Sequence, residues 1–482
     1  MDIMEKLVGG EPARLIPILA EGKKEERASS ALLATISIVP DFAKKLLEPF
    51  NVKIGSRTTI ECFTEVRFDE YEELRPDGLI VVRNGKKVWT AIVESKVGAA
   101  KLEQTQFDNY ANLARKCGVD ALITFSNQYA VRSDHHPLAV PNKTLKFIQV
   151  GHISWLAVKS EALLLCSNRG LDDPEQAFIL TEFLRFLSHD ASGVSSTISL
   201  SSAWPEVLTL IQSGISFRGK DSQVFSAVGD WHQLSKFTSL ELAMRIERPV
   251  SIEMSSKRMN DPDFNFKEDV DLLKAKQIFT TQYQVFGCDS SMKVKLDLSK
   301  KTLEIETPRL PILGGKGSKA SVSWVVKQAQ EMPELDPIFK IYWPRQREGK
   351  SLDFSLSDFV NKKRQIELPP QAKKEPPTSF VVSIVVDLGA DIKRSKRLID
   401  TLSGSVANFY DAVLKDLKVA RIATPKVVNS HSAIDAGGKD VSEPNVSVSQ
   451  EVNQGELNSR RSSVFFRILP VRNRRYLDDR YN

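Results

Sequence analysis

From Arg75 to Val97 the chain reads RPDGLIVVRNGKKVWTAIVESKV, and no other stretch limits the fold as much. Two apolar runs flank Asn84-Gly85, residues that both tolerate φ > 0 and signal a type I′ hairpin turn. The runs read as buried strands, so the hairpin is expected at the centre of a sheet. Yet Glu94 and Lys96 sit inside the second run, and Asp77 follows Pro76 at the start of the first. Side chains alternate with period two, so the register of the hairpin decides what these charges meet. With Asn84-Gly85 as the loop, Asp77 lies opposite Ile92 and diagonal to Glu94. With NGKK as the loop, it faces Glu94 directly. In both registers Asp77, Ile92, Glu94 and Lys96 share one face.

Two carboxylates and one ammonium are thus expected on one face, with Cβ atoms roughly 5–8 Å apart. Carboxylates that close repel, and burying them without a counter-charge is costly. A divalent cation answers both problems, and hard oxygen ligands without a thiolate favour Mg²⁺ or Mn²⁺. Such an ion polarises a phosphoryl oxygen and acidifies a bound water, while Lys96 would orient the water or stabilise the phosphorane. The Ser95 side chain points to the opposite face, but its backbone carbonyl is within reach of a metal. The competing reading is a structural ion pair of Glu94 with Lys96 or Arg75.

The surroundings suit an α/β domain. Residues 22–37 read as a helix with Ala28, Leu32 and Ile36 on one face, and DFAKKLLEPF follows Pro40 as a second. TTIECFTEVRF alternates as a strand. After the hairpin come a helix over 99–118, a strand DALITFSN, a loop, a strand over 145–156 and a helix DPEQAFILTEFLRFLSH. Helix, three strands, helix, strand, strand, helix implies a mixed sheet flanked by helices.

Pro76-Asp77, sixteen residues, then Glu94-Ser95-Lys96 resembles the PD-(D/E)XK nuclease superfamily over about residues 20–165. The resemblance implies a restriction-endonuclease-like sheet and Mg²⁺- or Mn²⁺-dependent hydrolysis of DNA, as an endonuclease. Asp77, Glu94 and the Ser95 carbonyl would hold metal, and Lys96 would assist catalysis. Members often complete the metal site with a glutamate from the preceding helix, which implies Glu25 or Glu26; Glu25 shares a face with Ser29, Leu32 and Ile36 and is preferred. Gln106 and Tyr110 form a QxxxY on the following helix, as in the RecB-like branch, where they would touch a DNA phosphate or support Lys96. His152-Ile153-Ser154-Trp155 is similar to a strand-to-helix turn of some members.

The chain divides by composition into 1–195, the nuclease-like domain, and 200–425, an α+β domain for targeting, partner binding or oligomerisation. A disordered linker and Arg-rich tail over 426–482 completes it. DASGVSSTISLSS, from Asp190, reads as the hinge. TSLELAMRIERPVSIEM, KVKLDLSKKTLEIETP and FVVSIVVDL read as strands; KASVSWVVKQAQEM and the run from Ser395 to Leu417 read as helices. The net charge is +6. Residues 460–482 hold seven Arg and two Asp, which leaves the body near neutral and without a uniform field for nucleic acid. Cys62, Cys117, Cys166 and Cys288 form no CxxC, which fits a reducing cytoplasm. No apolar run has membrane-spanning length and no secretory signal is apparent. His135-His136 reads as a Pro-flanked surface loop, and GGKGSKAS from Gly314 misses the phosphate-loop pattern.

The expectation is a cytoplasmic, Mg²⁺- or Mn²⁺-dependent nuclease with DNA as partner, serving restriction, repair or defence. A homo-oligomer or protein partner could attach through residues 200–425. The alternative is an inactive nuclease fold used for DNA binding or assembly.

Overall fold

The computed structural model describes residues 3–419, apart from 21, 70, 72, 131–135, 168–169, 196, 215–216, 218–220, 313–316, 331, 333–334, 346–349 and 362–365. The expected linker and tail, His135 and the start of GGKGSKAS lie outside the described residues. The fold is mixed α/β, built on two sheets.

The first sheet has six strands in chain order: β1 (Leu7–Pro12), β2 (Thr58–Phe68), β3 (Gly78–Asn84), β4 (Lys87–Ser95), β5 (Ala121–Ser126) and β6 (Gln149–Ser154). Pairing is antiparallel from β1 to β4 and parallel from β4 to β6. Helix α1 (Lys24–Ile38) buries Ala28, Leu32 and Ile36 on one side of the sheet, and Pro40 opens α2 (Pro40–Leu47) at a position that needs no N–H. Helix α3 (Gln104–Cys117) covers the other side with Phe107, Tyr110 and Ala114. It starts five residues later than expected, and the Leu102 N–H ahead of it donates to the Gln128 side chain at 3.0 Å. Gly118, at φ 72°, ends it in the left-handed conformation.

Gly78 opens β3 beside Asp77. A Cβ there would lie 2.4 Å from Leu33 Cδ1 and 2.9 Å from the Phe63 carbonyl oxygen. Gly78→Ala is therefore expected to lower stability by about 1–3 kcal/mol, since backbone as well as side chain must move. Thermal unfolding measures this, and an unchanged midpoint would contradict the packing described.

One strand was expected to run through residue 156. It stops at Ser154, whose Oγ accepts from the Ala157 N–H at 3.2 Å and caps a helix. After the short α4 (Asn142–Leu145), that helix is α5 (Trp155–Ser167), followed by α6 (Pro174–Leu187).

The second half holds α7 (Ala203–Gln212), α8 (Asp221–Ile246), α9 (Ser256–Asn260), α10 (Pro262–Lys276), α11 (Ser318–Val326), α12 (Leu356–Asn361) and α13 (Ser395–Phe409). Its strands are β7 (Val250–Ile252), β8 (Ile278–Val285), β9 (Met292–Asp297), β10 (Thr302–Glu306), β11 (Leu310–Pro311), β12 (Ile338–Tyr342), β13 (Leu352–Ser355) and β14 (Ser379–Asp387). They form an eight-stranded sheet, β13-β12-β14-β10-β9-β8-β7, with β11 on β14. TSLELAMRIERPVSIEM is not a strand: it is the end of α8, a turn, and β7. Leu240, Leu242, Met244 and Ile246 mimic alternation, but Val224, Ala227, Val228, Trp231 and Leu234 upstream set a helical period that carries through.

Segments 1–195 and 200–425 each carry one sheet, yet residues Met1–Ile422 form one compact unit with a continuous hydrophobic core. Tyr129 meets Phe237 edge-on at 5.8 Å. The segment read as a hinge is tied down on both sides. The Asn127 amide donates to the Gly98 and Gly193 carbonyls and accepts from the Ser195 N–H, while Asp230 accepts from the Ser201 N–H and hydroxyl. Among the described residues no helix is long and apolar enough to cross a membrane.

Candidate metal centre

The β3–β4 register pairs Gly78 with Val93 and Asn84 with Lys87. Of the two registers left open by the sequence, this is the one that sets Asp77 directly across from Glu94. The turn residues are Gly85 and Lys86, not Asn84 and Gly85. Gly85, at φ 60°, takes the first central position, where a type II′ turn places glycine. The Asp77 carboxylate is held from below: its Oδ2 accepts the Ser95 N–H at 2.7 Å. Ser95 thus reaches the site through its amide. Its side chain points to the α1 side, where its Oγ lies 2.5 Å from Ser29 Oγ. Ser29 in turn donates to the Glu25 carbonyl one helical turn back.

That serine pair locks the first turn of α1 onto β4 and brings Glu25 over the strand ends. Carboxylate oxygens of Glu25, Asp77 and Glu94 lie within 4.8 Å of one another. Glu26 is not among these three and pairs with Lys23 at 2.5 Å, so the geometry favours Glu25 of the two. Lys96 bridges two of the three acids: its Nζ is 2.5 Å from Glu94 Oε1 and 3.1 Å from Glu25 Oε1. Lys96 is itself fixed through its backbone. Its N–H donates to the Phe125 carbonyl, and its carbonyl accepts the indole N–H of fully buried Trp155 at 2.9 Å.

The electrostatics are unbalanced. Glu94 is 3 % exposed, and its Oε2 is buried with no hydrogen-bond partner. Burial, and then the Asp77 charge, pushes the Glu94 carboxyl up to about 8 against the pull of Lys96. Burial pushes Asp77 up to about 6, against the Ser95 N–H. Burial works against the Lys96 ammonium, but the Glu94 carboxylate outweighs it and holds that pKa above its ordinary value. A dry orphaned carboxylate oxygen beside two more carboxylates fits a hard divalent cation. Mg²⁺ or Mn²⁺ suits the all-oxygen donor set of Glu25, Asp77 and Glu94.

Gln106 and Tyr110 stand beside this centre rather than on Lys96. The Tyr110 hydroxyl donates to the Arg75 carbonyl at 3.0 Å, and Gln106 Nε2 donates to Tyr110 at 3.4 Å. They brace the chain two residues before Asp77. Burial, then the nearby Glu94 charge, raises the Tyr110 hydroxyl to about 12.

Sequence reading missed a polar rank that continues the site across the sheet. Glu94 pairs with Thr124 on β5, and Thr124 with His152 on β6, so their side chains share one face. Thr124 Oγ1 is 2.9 Å from His152 Nδ1 and 2.8 Å from His136 Nε2. His136 was expected in a surface loop. Instead its ring packs on Phe107 at 4.6 Å between centroids, and its Nδ1 accepts the Leu138 N–H. His152 Nε2 must donate to the Gln128 carbonyl. These two fixed ends set every proton between them: His136 Nε2–H donates to Thr124, and Thr124 donates to His152 Nδ1. Both imidazoles are then neutral. Burial agrees, lowering His152 to about 4 and His136 well below its ordinary value. Thr124→Val keeps the shape but strands one donor and one acceptor. It is expected to cost about 1–3 kcal/mol per stranded group. Chemical denaturation measures this, and a neutral result would refute the chain of donors.

Comparison with protein-family models, curated proteins and solved structures returns no match for this chain, so its chemistry is read from its own geometry.

Proposed function

We propose that this protein is a metal-dependent nuclease that hydrolyses phosphodiester bonds in DNA, on a restriction-endonuclease-like sheet. One observation carries the reading: three carboxylates converge within 4.8 Å, two of them paired with Lys96, and Glu94 keeps a buried, unpartnered oxygen. A binding or assembly module gains nothing from that arrangement, because unpaired buried charge is destabilising. Glu25, Asp77 and Glu94 would hold Mg²⁺ or Mn²⁺, which when bound supplies Lewis acidity toward a phosphoryl oxygen.

The remaining steps belong to the chain. Lys96, steadied through its carbonyl by Trp155, presents its ammonium to the attacking water and to charge growing on the phosphate. Ser95 N–H holds the Asp77 carboxylate in place. Gln106 and Tyr110 brace the Arg75 end of the site and offer polar groups to a neighbouring phosphate. Restriction, repair or defence is the setting such chemistry serves, by analogy of fold alone. The test is incubation of the full chain with plasmid in Mg²⁺ or Mn²⁺, with and without EDTA. Cleavage that EDTA stops supports the reading. DNA binding without cleavage in either metal would overturn it in favour of a binding module.

A further inference from the structure

The segment between β1 and α1, RLIPILA from Arg14, shows unusual exposure. Ile16 is 86 % exposed and Ile18 is 96 % exposed. Pro17 stands between them and Leu19 follows, also exposed. Leaving an isoleucine in water forgoes the gain of burying its apolar surface, and here two stand exposed at one tip.

The tip is not loosely attached. Ser30 of α1 grips one stem, its Oγ accepting from the Arg14 N–H and donating to the Arg14 carbonyl, both at 2.9 Å. The other stem ends at Ala20, whose carbonyl accepts from the Arg27 guanidinium and the Lys23 N–H. All of these anchors lie on or immediately before the helix that carries Glu25. The tip is therefore fixed relative to the metal centre. It also borders it: Arg14, Pro17, Ile18 and Leu19 share with Asp77 the wall of one cavity of about 280 Å³.

We propose that Ile16-Pro17-Ile18 is a wedge that inserts between base pairs next to the scissile phosphate, making locally unstacked duplex DNA the substrate. This rests on the nuclease reading of the same site. Pro17 and Ile18 line the same cavity as Asp77, and that adjacency points to the substrate rather than to a separate partner. The chemistry of the tip selects the form of that substrate. Strand-tracking sites offer aromatic platforms for single bases. Apolar wedges that pry apart a base step in a duplex include isoleucine, leucine and proline.

The experiment uses the full chain and a duplex carrying 2-aminopurine, in Ca²⁺ and in EDTA, followed by fluorescence; cleavage in Mg²⁺ is measured in parallel. The variant is Ile16→Ser with Ile18→Ser, both solvent-facing, with its melting midpoint checked against the wild type. The wild type is expected to brighten the probe. The variant should lose that signal and cut duplex about tenfold more slowly, while cutting single-stranded DNA at the wild-type rate. A variant that unstacks and cuts duplex like the wild type overturns the wedge and leaves the nuclease standing. Equal losses on single and double strands overturn it too, as does a wild-type dimer that the variant breaks, which would make the tip a self-contact. If the wild type neither cuts DNA nor binds Mn²⁺ by electron paramagnetic resonance, the nuclease reading falls and takes the wedge with it.

Discussion

Asp77→Ala and Lys96→Ala should each abolish metal-dependent cleavage of plasmid DNA, with a loss on the order of 10³-fold or more. The two fail for different reasons. Asp77→Ala removes one of three converging carboxylates and strands the Ser95 N–H that it accepts. The two remaining acids, Glu25 and Glu94, are then both engaged by Lys96, and little is left to attract a divalent ion. Lys96→Ala leaves Glu94 buried without its one partner. Breaking a buried pair commonly costs about 3–5 kcal/mol. Here the cost is capped, because the Glu94 carboxyl is already pushed up to about 8 and takes a proton instead. That variant is expected to stay folded at neutral pH while losing the ammonium, and its Glu94 should give up a proton to a metal less readily than in the wild type. Glu26→Gln is the matched control: its carboxylate pairs with Lys23 and is not one of the three converging acids, and cleavage should stay closer to the wild-type rate than in either variant. Gel assays of nicked and linear plasmid, with circular dichroism to check folding, decide the matter. Wild-type cleavage by a folded Asp77→Ala protein would remove the site from consideration.

How much of this was legible depended on whether the information was local. The hairpin was, because a turn signal between two apolar runs fixes period-two alternation, and with it the shared face of Asp77, Glu94 and Lys96. The register was not. Two loops satisfied the same residues, and the one formed places glycine, the residue most at ease at φ > 0, at the first turn position. Glu25 could be preferred over Glu26 from helix phase, but the lock that sets it, Ser29 against Ser95, joins residues 66 apart. The alignment of Thr124 and His152 with Glu94 was invisible for a related reason. They stand level with Glu94 only because β4, β5 and β6 run parallel in one particular stagger, and nothing in a single strand encodes the stagger of its neighbours. Helix α8 was misread at its end because four alternate apolar residues outweighed the upstream period. The error disappears when the whole 26-residue helix is taken together. Isolated polar residues at the C-terminal ends of adjacent parallel strands are the signal that would have found the rank beforehand.

Divalent-ion affinity should climb with pH between about 6 and 8, the range set by the raised carboxyls of Asp77 and Glu94. The sign follows from linkage. Unfolded, both groups ionise near pH 4; folded, they hold their protons to about 6 and about 8. Between those limits the folded state binds more protons, so these two groups favour folding most at low pH and less as pH rises through 6 and then 8. Metal must displace the same protons. Its affinity is weak below pH 6, rises by up to about tenfold per pH unit for each proton released, and levels above 8. The stability contribution that the carboxyls lose on the alkaline side is thus restored by Mg²⁺ or Mn²⁺. Melting midpoints with and without metal should diverge as pH increases. Titration calorimetry of Mn²⁺ binding at pH 7 in buffers of different ionisation enthalpy reads the protons directly. Release of about one proton per ion is expected from the wild type, and none from Glu94→Gln, whose residual binding should no longer track pH in the upper half of the range. Metal binding that is tight, proton-neutral and flat from pH 6 to 8 would show that the acids are already ionised, and would place the ion elsewhere than against the orphaned oxygen of Glu94.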